Sequence, residues 1–156
     1  MIGDLQLRGI PKALLADMKA AVPFYLDLLL PGEQYNEVKR NLSIEIEYMK
    51  APPEDEGAAG WTIPLDEETF IIQIYSDFIE CSPLQTLAHE IVHVKQYALG
   101  ELRERVTKDK SSSIIWKSKR WNPPEGSHEY WDCPWEIEAF GREYGLYKRF
   151  IESRKK

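Results

Sequence analysis

Cysteine is scarce in this chain, where Cys81 and Cys133 are the only two thiols among 156 residues. Small secreted domains held by disulfides use cysteine more densely, and structural zinc sites place cysteines in closely spaced pairs. The sequence therefore excludes both kinds of framework. We expect two buried, unreactive thiols. A Cys81–Cys133 bridge is the alternative, although nothing in the sequence indicates the oxidising compartment that it would need.

Long hydrophobic runs are also absent. The most apolar stretch, residues 20–30, is interrupted by Pro23 and Asp27 and is shorter than the roughly 20 residues that a membrane-spanning helix needs. Residues 1–15 contain no basic segment followed by an apolar run, as a secretory signal would. We therefore expect a soluble, cytoplasmic protein with no membrane partner. Its apolar content of 43% is sufficient for one packed domain that spans residues 1–156.

Basic residues are few in the first half of the chain. Residues 1–80 carry 6 basic and 15 acidic side chains, net −9, whereas residues 81–156 carry 14 and 11, net +3. A basic segment attracts acidic partners, and nucleic acid is one candidate, although the chain is acidic overall and contains no recognised nucleic-acid module. A solvated loop is the simpler interpretation. The basic excess consists of Arg103, Arg105, Lys108, Lys110, Lys117, Lys119 and Arg120.

The spacing of apolar residues predicts an α+β fold. Residues 11–30 place apolar side chains every three to four positions, which indicates a helix. Residues 42–48 alternate apolar and polar side chains, and residues 70–75 are rich in β-branched and aromatic side chains, so both segments are predicted strands. Residues 51–60 contain prolines and glycines and are predicted to be an irregular surface connection.

Two further helices and a hairpin are predicted in the second half. Residues 84–99 form a helix that Ser82 caps and Gly100 ends, and residues 134–154 form the last helix. Residues 114–121 are expected to form a short hairpin between them. The expected buried positions are Leu84, Leu87, Ile91, Val94 and Ala98 in the first helix and Trp135, Ile137, Ala139, Phe140, Leu146 and Phe150 in the second.

The most informative pattern is His89-Glu90-Ile91-Val92-His93, which reads H-E-x-x-H inside the helix predicted for residues 84–99. Residues four apart lie on the same face of a helix, so both imidazoles can bind one zinc ion. Glu90 lies one position round the helix and is placed to accept a proton from a water that zinc holds. The pattern is typical of metal-dependent hydrolases.

Two histidines are not sufficient, because a catalytic zinc ion takes three protein ligands and leaves a fourth position open. Glu136 and Glu138, at the start of the last predicted helix, are the best candidates for the third ligand. They lie about 200° apart on a helix, so only one of them can face the metal. His128 is a further candidate, but it lacks the fixed short spacing from the motif that a third histidine ligand would have.

This combination resembles the zincin metallopeptidases, in the gluzincin-type branch whose third ligand is a glutamate on a later helix. The resemblance also extends to small bacterial and phage proteins that carry this domain. In that branch the ligand glutamate stands three residues before a small residue, which selects Glu136 because Ala139 follows it at that spacing. The resemblance implies a zincin-like α+β fold with an active-site helix, a small sheet and a C-terminal helix that supplies the third ligand.

One departure from the family pattern concerns the support of the ligands. Family members often have an acidic residue four positions after the ligand glutamate, where it holds a ligand histidine. Phe140 occupies that position in this chain. Glu138 or a backbone carbonyl is therefore expected to orient the histidine ring instead.

The activity that the resemblance implies is hydrolysis of peptide bonds in a protein or peptide substrate, with Zn²⁺ as cofactor and Glu90 as general base. Tyr130, Tyr144 and His128 are candidate donors to the developing oxyanion, and Tyr130 is taken as the catalytic residue among them. The substrate backbone is expected to pair with the strand at residues 70–75 or with its neighbour. The alternatives are a catalytically silent protein in which zinc only staples two helices, and a nucleic-acid-associated protease recruited through the basic segment.

Overall fold

The computed structural model describes residues 2–106 and 108–155, which form a mixed α+β structure with two sheets. Its strands are β1 (Asp4–Arg8), β2 (Ser43–Met49), β3 (Gly60–Pro64), β4 (Thr69–Tyr75), β5 (Leu102–Val106), β6 (Ser112–Trp116) and β7 (Lys119–Arg120). Its helices are α1 (Lys12–Leu29), α2 (Asn36–Asn41), α3 (Pro83–Ala98) and α4 (Pro134–Arg154). Two short 3-10 turns, Glu33–Tyr35 and Pro53–Asp55, complete these elements.

The larger sheet has the strand order β1-β2-β4-β3. β1 and β4 run parallel to β2, and β3 runs antiparallel to β4. Alternate side chains of β2 and β4, including Ile44, Ile46, Phe70 and Ile72, are buried in the apolar core. Because β4 is paired on both sides, β3 forms the border of this sheet on the side of α3.

α3 lies at the centre of the molecule, in contact with α1, α4, β3 and β4. Ser82 caps it, since the Ser82 hydroxyl accepts a hydrogen bond from the Leu84 amide at 3.1 Å. Gly100, with a φ of 70°, follows its last turn, and the Gly100 amide donates to the Tyr97 carbonyl. This central position buries nearly every side chain between residues 84 and 96, polar ones included.

The predicted helices and strands that carry strong periodicity are confirmed: α1, α3, α4, β2, β4 and the β6–β7 hairpin all form where the sequence indicates. The sequence did not predict β1, β3, β5 or α2. β3 is short and contains a glycine and a proline, and β5 is dominated by charged side chains, so neither shows the apolar alternation of a strand. The segment 51–60 was expected to be wholly irregular, but it contains a 3-10 turn and the first residue of β3.

Two expected core positions of α4 are wrong, and a third, Trp135, is only half-buried. Ile137 is 56% exposed and Phe140 is 40% exposed. At 100° per residue, the buried side of α4 is instead the stripe of residues 136, 139, 143, 146 and 150, which places two glutamates among apolar side chains. In α3 the expected positions from Leu84 to Val94 are buried, and Ala98 is half-buried.

Both cysteines are free thiols, so the alternative of a Cys81–Cys133 bridge is wrong. Cys133 is buried as expected, whereas Cys81 is only half-buried.

Within residues 2–106 and 108–155, no helix combines the length and the apolar character that crossing a bilayer requires.

Candidate metal centre

Helices α3 and α4 bring the three expected metal ligands together. His89 and His93 are 8% and 7% exposed, and their ring centroids are 5.0 Å apart on one face of α3. Glu136, in the first turn of α4, places its Oε1 atom 3.0 Å from His89 Nε2 and 3.3 Å from His93 Nε2. The ligand atoms of the three residues all lie within 4.8 Å of one another.

The two rival third ligands lie elsewhere. The Glu138 carboxylate accepts a hydrogen bond from Gln96 and pairs with Lys95 at 2.9 Å. His128 is exposed, and its Nδ1 atom accepts hydrogen bonds from the amides of residues 130 and 131. The structure therefore places Glu136, and neither alternative, beside the two motif histidines.

His93 is held in one orientation by Gln96. The Gln96 side-chain nitrogen donates to the Trp135 carbonyl at 2.9 Å and to the Glu138 carboxylate at 2.8 Å. The Gln96 oxygen must therefore be the atom that faces His93 Nδ1, at 2.8 Å, and it accepts a hydrogen bond from that nitrogen. This arrangement fixes a proton on Nδ1 and leaves Nε2 as the ring nitrogen that faces Glu136.

His89 is held in the same way by Glu143. His89 Nδ1 donates to Glu143 Oε1 at 3.0 Å, and the second carboxylate oxygen of Glu143 accepts from the Gln85 side chain at 2.8 Å. The expectation that Glu138 or a backbone carbonyl would orient a ligand histidine is therefore wrong. Glu138 lies one step further out, since it contacts Gln96 and not the imidazoles. The Phe140 ring packs edge-on against His89 at 4.5 Å between centroids.

The electrostatics of this cluster stabilise positive charge at the point of convergence. Burial alone would lower the pKa of His89, but the hydrogen bonds with Glu136 and Glu143 outweigh it and raise the pKa to about 10. Burial would raise the pKa of Glu136, yet its contacts with both histidines lower it to about 2. A carboxylate that remains ionised when buried at the tips of two imidazoles is suited to hold a cation.

The donor set fits zinc. Two imidazole nitrogens and one carboxylate oxygen are the ligands of many catalytic zinc sites, and each histidine has the outer hydrogen bond that zinc-binding histidines usually have. His89, His93 and Glu136 would hold the ion, which would supply a Lewis acid at this point.

Glu90 lies beside the cluster and is held by the larger sheet. The Thr62 hydroxyl on β3 donates a hydrogen bond to Glu90 Oε1 at 2.8 Å. Burial raises the pKa of the Glu90 carboxyl, and the neighbouring His93 and His89 offset that increase only in part. Gly60 allows β3 to lie close to both β4 and α3. A Cβ atom at this position would lie 2.6 Å from the Gln73 carbonyl oxygen and 3.0 Å from a methyl carbon of Thr86.

A cleft of about 650 Å³ opens onto the three candidate ligands and Glu90. One wall is an aromatic group of Tyr130, Trp131 and Phe140, whose rings contact one another. The start of β3, from Gly60 to Thr62, also lines the cleft. These aromatic side chains are 42%, 57% and 40% exposed, so an open, largely apolar surface lies next to the cluster.

Of the three candidate oxyanion donors, Tyr130 lies in the cleft, where its hydroxyl is 3.4 Å from Glu136 Oε1. Burial and the adjacent Glu136 carboxylate raise the pKa of Tyr130, which keeps the hydroxyl protonated and able to donate. Tyr144 is 59% exposed on the outer side of α4, and His128 stabilises a surface loop. Of the two strands expected to offer an edge, residues 70–75 and their neighbour, β4 is paired on both sides and cannot do so. Its neighbour β3 is the strand that borders the cleft.

The sequence reasoning missed three supporting residues: Thr62, Gln96 and Glu143. A signal for Glu143 was present, because it follows Glu136 by seven residues and therefore lies on the same face of α4. Gln96 likewise follows His93 by three residues on the same face of α3. Thr62 had no such signal, since β3 itself was not predicted.

Comparisons of this chain with family models, curated proteins and solved structures found no match. Any function must therefore be argued from the site itself.

Replacing Glu143 by alanine is expected to weaken zinc binding by about 10- to 100-fold, the usual effect of removing a residue that orients a metal ligand. His89 would lose the acceptor that fixes its Nδ1 proton. Competition with a chromophoric zinc chelator measures the affinity. Glu152→Ala, on an exposed position of the same helix, is the matched control. Equal affinities of the two variants would show that Glu143 does not position His89.

Proposed function

We propose that this protein is a zinc-dependent metallopeptidase of the zincin type, in which His89, His93 and Glu136 bind the metal. The observation that carries the proposal is the convergence of ligand atoms of His89, His93 and Glu136 within 4.8 Å of one another, next to the buried Glu90 and in an open cleft. The outer hydrogen bonds to Gln96 and Glu143 support it, because they direct both Nε2 atoms to one point.

Glu90 supplies the proton transfer in this proposal. When bound at this site, zinc supplies a water with a pKa lowered toward about 7 and a Lewis acid for the substrate carbonyl. Glu90 accepts the proton of the attacking water and returns it to the leaving amine. Thr62 holds the carboxylate in place, and burial tunes its basicity upward, toward the range that a general base needs near neutral pH.

The cleft walls position the substrate. The outer side of β3 offers backbone groups with which an extended peptide can pair. The Tyr130 hydroxyl lies near Glu136 and donates a hydrogen bond to the oxygen on which negative charge develops. A protein in which zinc only staples α3 to α4 would need neither Glu90, held by Thr62, nor a cleft that reaches the ligands, and this contrast favours the enzymatic function.

The proposal is tested with purified protein that is stripped of metal and then given one equivalent of zinc. We expect the zinc-loaded protein to cleave members of a mixed peptide library and an unfolded protein substrate, with new termini identified by mass spectrometry. The stripped protein is expected to be inactive until zinc is restored, since the proton transfer from water depends on it. Absence of any new termini with stoichiometric zinc bound would reject the peptidase and favour the structural role for the metal.

A further inference from the structure

The smaller sheet carries positive charge that the proposed peptidase does not use. All seven basic residues between positions 103 and 120 are exposed. Among the described residues, none of the seven forms an ion pair, whereas the charged networks elsewhere use Arg8, Lys39, Lys95 and Arg154. Lys117 does contact the Trp116 ring, at 5.3 Å from its centroid. Exposed positive charge without an ion-pair partner on an acidic protein attracts a polyanion.

The register of the sheet gathers part of this charge on one face. Arg103 pairs with Ile115 and Ile115 with Arg120, so these three lie in one row across β5, β6 and β7. Arg105 pairs with Ser113 in the next row of the same face, two residues along each strand. We call this side, which consists of Arg103, Arg105, Ser113, Ile115 and Arg120, the basic face.

The opposite side of the sheet is already occupied. Trp116 packs against Trp135 with ring centroids 6.1 Å apart, and Leu102 and Ile114 line the cleft. Because side chains of a strand alternate between faces, the basic face is directed away from α4.

A polar depression lies at the end of the basic face that is next to the β5–β6 connection. It has a volume of about 510 Å³ and is lined by Lys108, Asp109, Ser111, Ser112, Ser113 and Arg120. Two cations and the hydroxyl groups of Ser112 and Ser113 line this space. The Ser111 hydroxyl and amide donate to the Asp109 carboxylate, at 2.7 Å and 3.1 Å. Hydroxyl and cationic donors in this combination suit the oxygens of a phosphate group.

We propose that the basic face and its polar depression bind the phosphate backbone of nucleic acid without reading its sequence. Contacts of Arg, Lys and Ser to phosphate are the common sequence-independent contacts of such proteins. The basic face carries one large apolar side chain, the half-buried Ile115, so it offers no exposed apolar anchor for a lipid bilayer. The hydroxyl donors of Ser112 and Ser113, beside two cations, favour phosphate, with its many acceptor oxygens, over the isolated carboxylates of an acidic peptide.

Fluorescence anisotropy with labelled single-stranded and duplex DNA, in chelator and at several salt concentrations, tests this surface without relying on the proposed metal or on peptidase activity. We expect binding that weakens steeply as salt increases. The triple variant Arg105→Ser, Lys108→Ser, Arg120→Ser should lose at least about tenfold in affinity for duplex, and its log–log salt slope should be less steep by about 2.7, because each phosphate contact contributes roughly 0.9 to that slope.

The matched control is Lys12→Ser, Lys19→Ser, Lys148→Ser, which removes the same charge from exposed positions on α1 and α4. It should bind DNA nearly as the parent protein does. If both triple variants lost DNA affinity equally, the loss would be explained by net charge alone, and the proposal would be overturned. Absence of salt-dependent DNA binding by the parent protein would also overturn the proposal. This outcome does not depend on whether any variant folds. Tighter binding to polyglutamate or to phosphatidylserine vesicles than to DNA would overturn it in favour of those partners.

Discussion

Replacing Glu90 by glutamine is expected to lower peptide cleavage by about 10²- to 10⁴-fold, the usual contribution of a general acid–base group. Glutamine keeps the shape of the side chain and an oxygen that can accept the hydrogen bond from Thr62. It cannot take a proton from water near neutral pH. Because Glu90 does not belong to the group of converging ligand atoms, zinc content should remain that of the parent protein.

Three measurements test this prediction: the initial rate of cleavage of one identified peptide, the zinc content and the midpoint temperature of thermal unfolding. Glu67→Gln is the control, since it makes the same chemical change in the exposed connection between β3 and β4. If Glu90→Gln cleaves at the parent rate, either the general base is another residue or a contaminating protease causes the cleavage. If it loses zinc as well as activity, Glu90 has a structural role that the geometry does not indicate.

The two histidines of the site could be predicted from the sequence because their relative position depends only on one helix. Four residues of helix set the relation between His89 and His93, and the helix itself follows from apolar spacing and from the cap at Ser82. The position of Glu136 required two helices to pack, which spacing alone could not settle against Glu138. The resemblance to a family pattern selected Glu136, and the structure places that residue at the two imidazoles.

The residues that support the ligands were harder to predict, because their contacts bridge segments far apart in sequence. Thr62 reaches Glu90 across 28 residues, and Glu143 reaches His89 across 54. Apolar spacing predicts the wrong buried side for α4, because Glu136 and Glu143 are buried there. Phe140 therefore lies toward the cleft and remains partly exposed. Glutamates on the buried side of a helix thus depart from apolar spacing at the place where the candidate metal centre lies.

A charged network at the end of α3 connects the candidate metal centre with the smaller sheet. Lys95 is 7% exposed and pairs with Glu138 at 2.9 Å and with Glu101 at 2.7 Å. Glu138 accepts from Gln96, which holds His93, while the Glu101 carbonyl accepts from the Lys117 amide in the turn between β6 and β7. Continuous polar contacts thus join the smaller sheet to one of the proposed metal ligands. Of the basic face, Arg103 also lines the cleft, whereas Arg105 and Arg120 are not among the cleft-lining residues. Nucleic acid held by Arg105 and Arg120 would therefore leave most of the cleft free for a peptide.

Replacing Glu136 by glutamine is expected to weaken zinc binding by more than the 10- to 100-fold loss that removal of a supporting residue causes. The change removes the carboxylate charge from the point where both Nε2 atoms converge, and a neutral amide is a poor ligand for zinc. Peptide cleavage should be lost with the metal. Zinc at 100 times its dissociation constant should stabilise the parent protein by about 2.7 kcal/mol, and this stabilisation should be largely absent in Glu136→Gln.

The matched variant is Glu138→Gln, two residues along the same helix. Its side chain can still accept from Gln96, and Lys95 keeps its ion pair with Glu101, so the imidazole orientation should persist and zinc affinity should stay near the parent value. Metal analysis after dialysis and unfolding with and without zinc distinguish the two variants. Loss of zinc from Glu138→Gln together with its retention by Glu136→Gln would contradict the assigned ligand set, and the metal centre would have to be rebuilt around a different carboxylate.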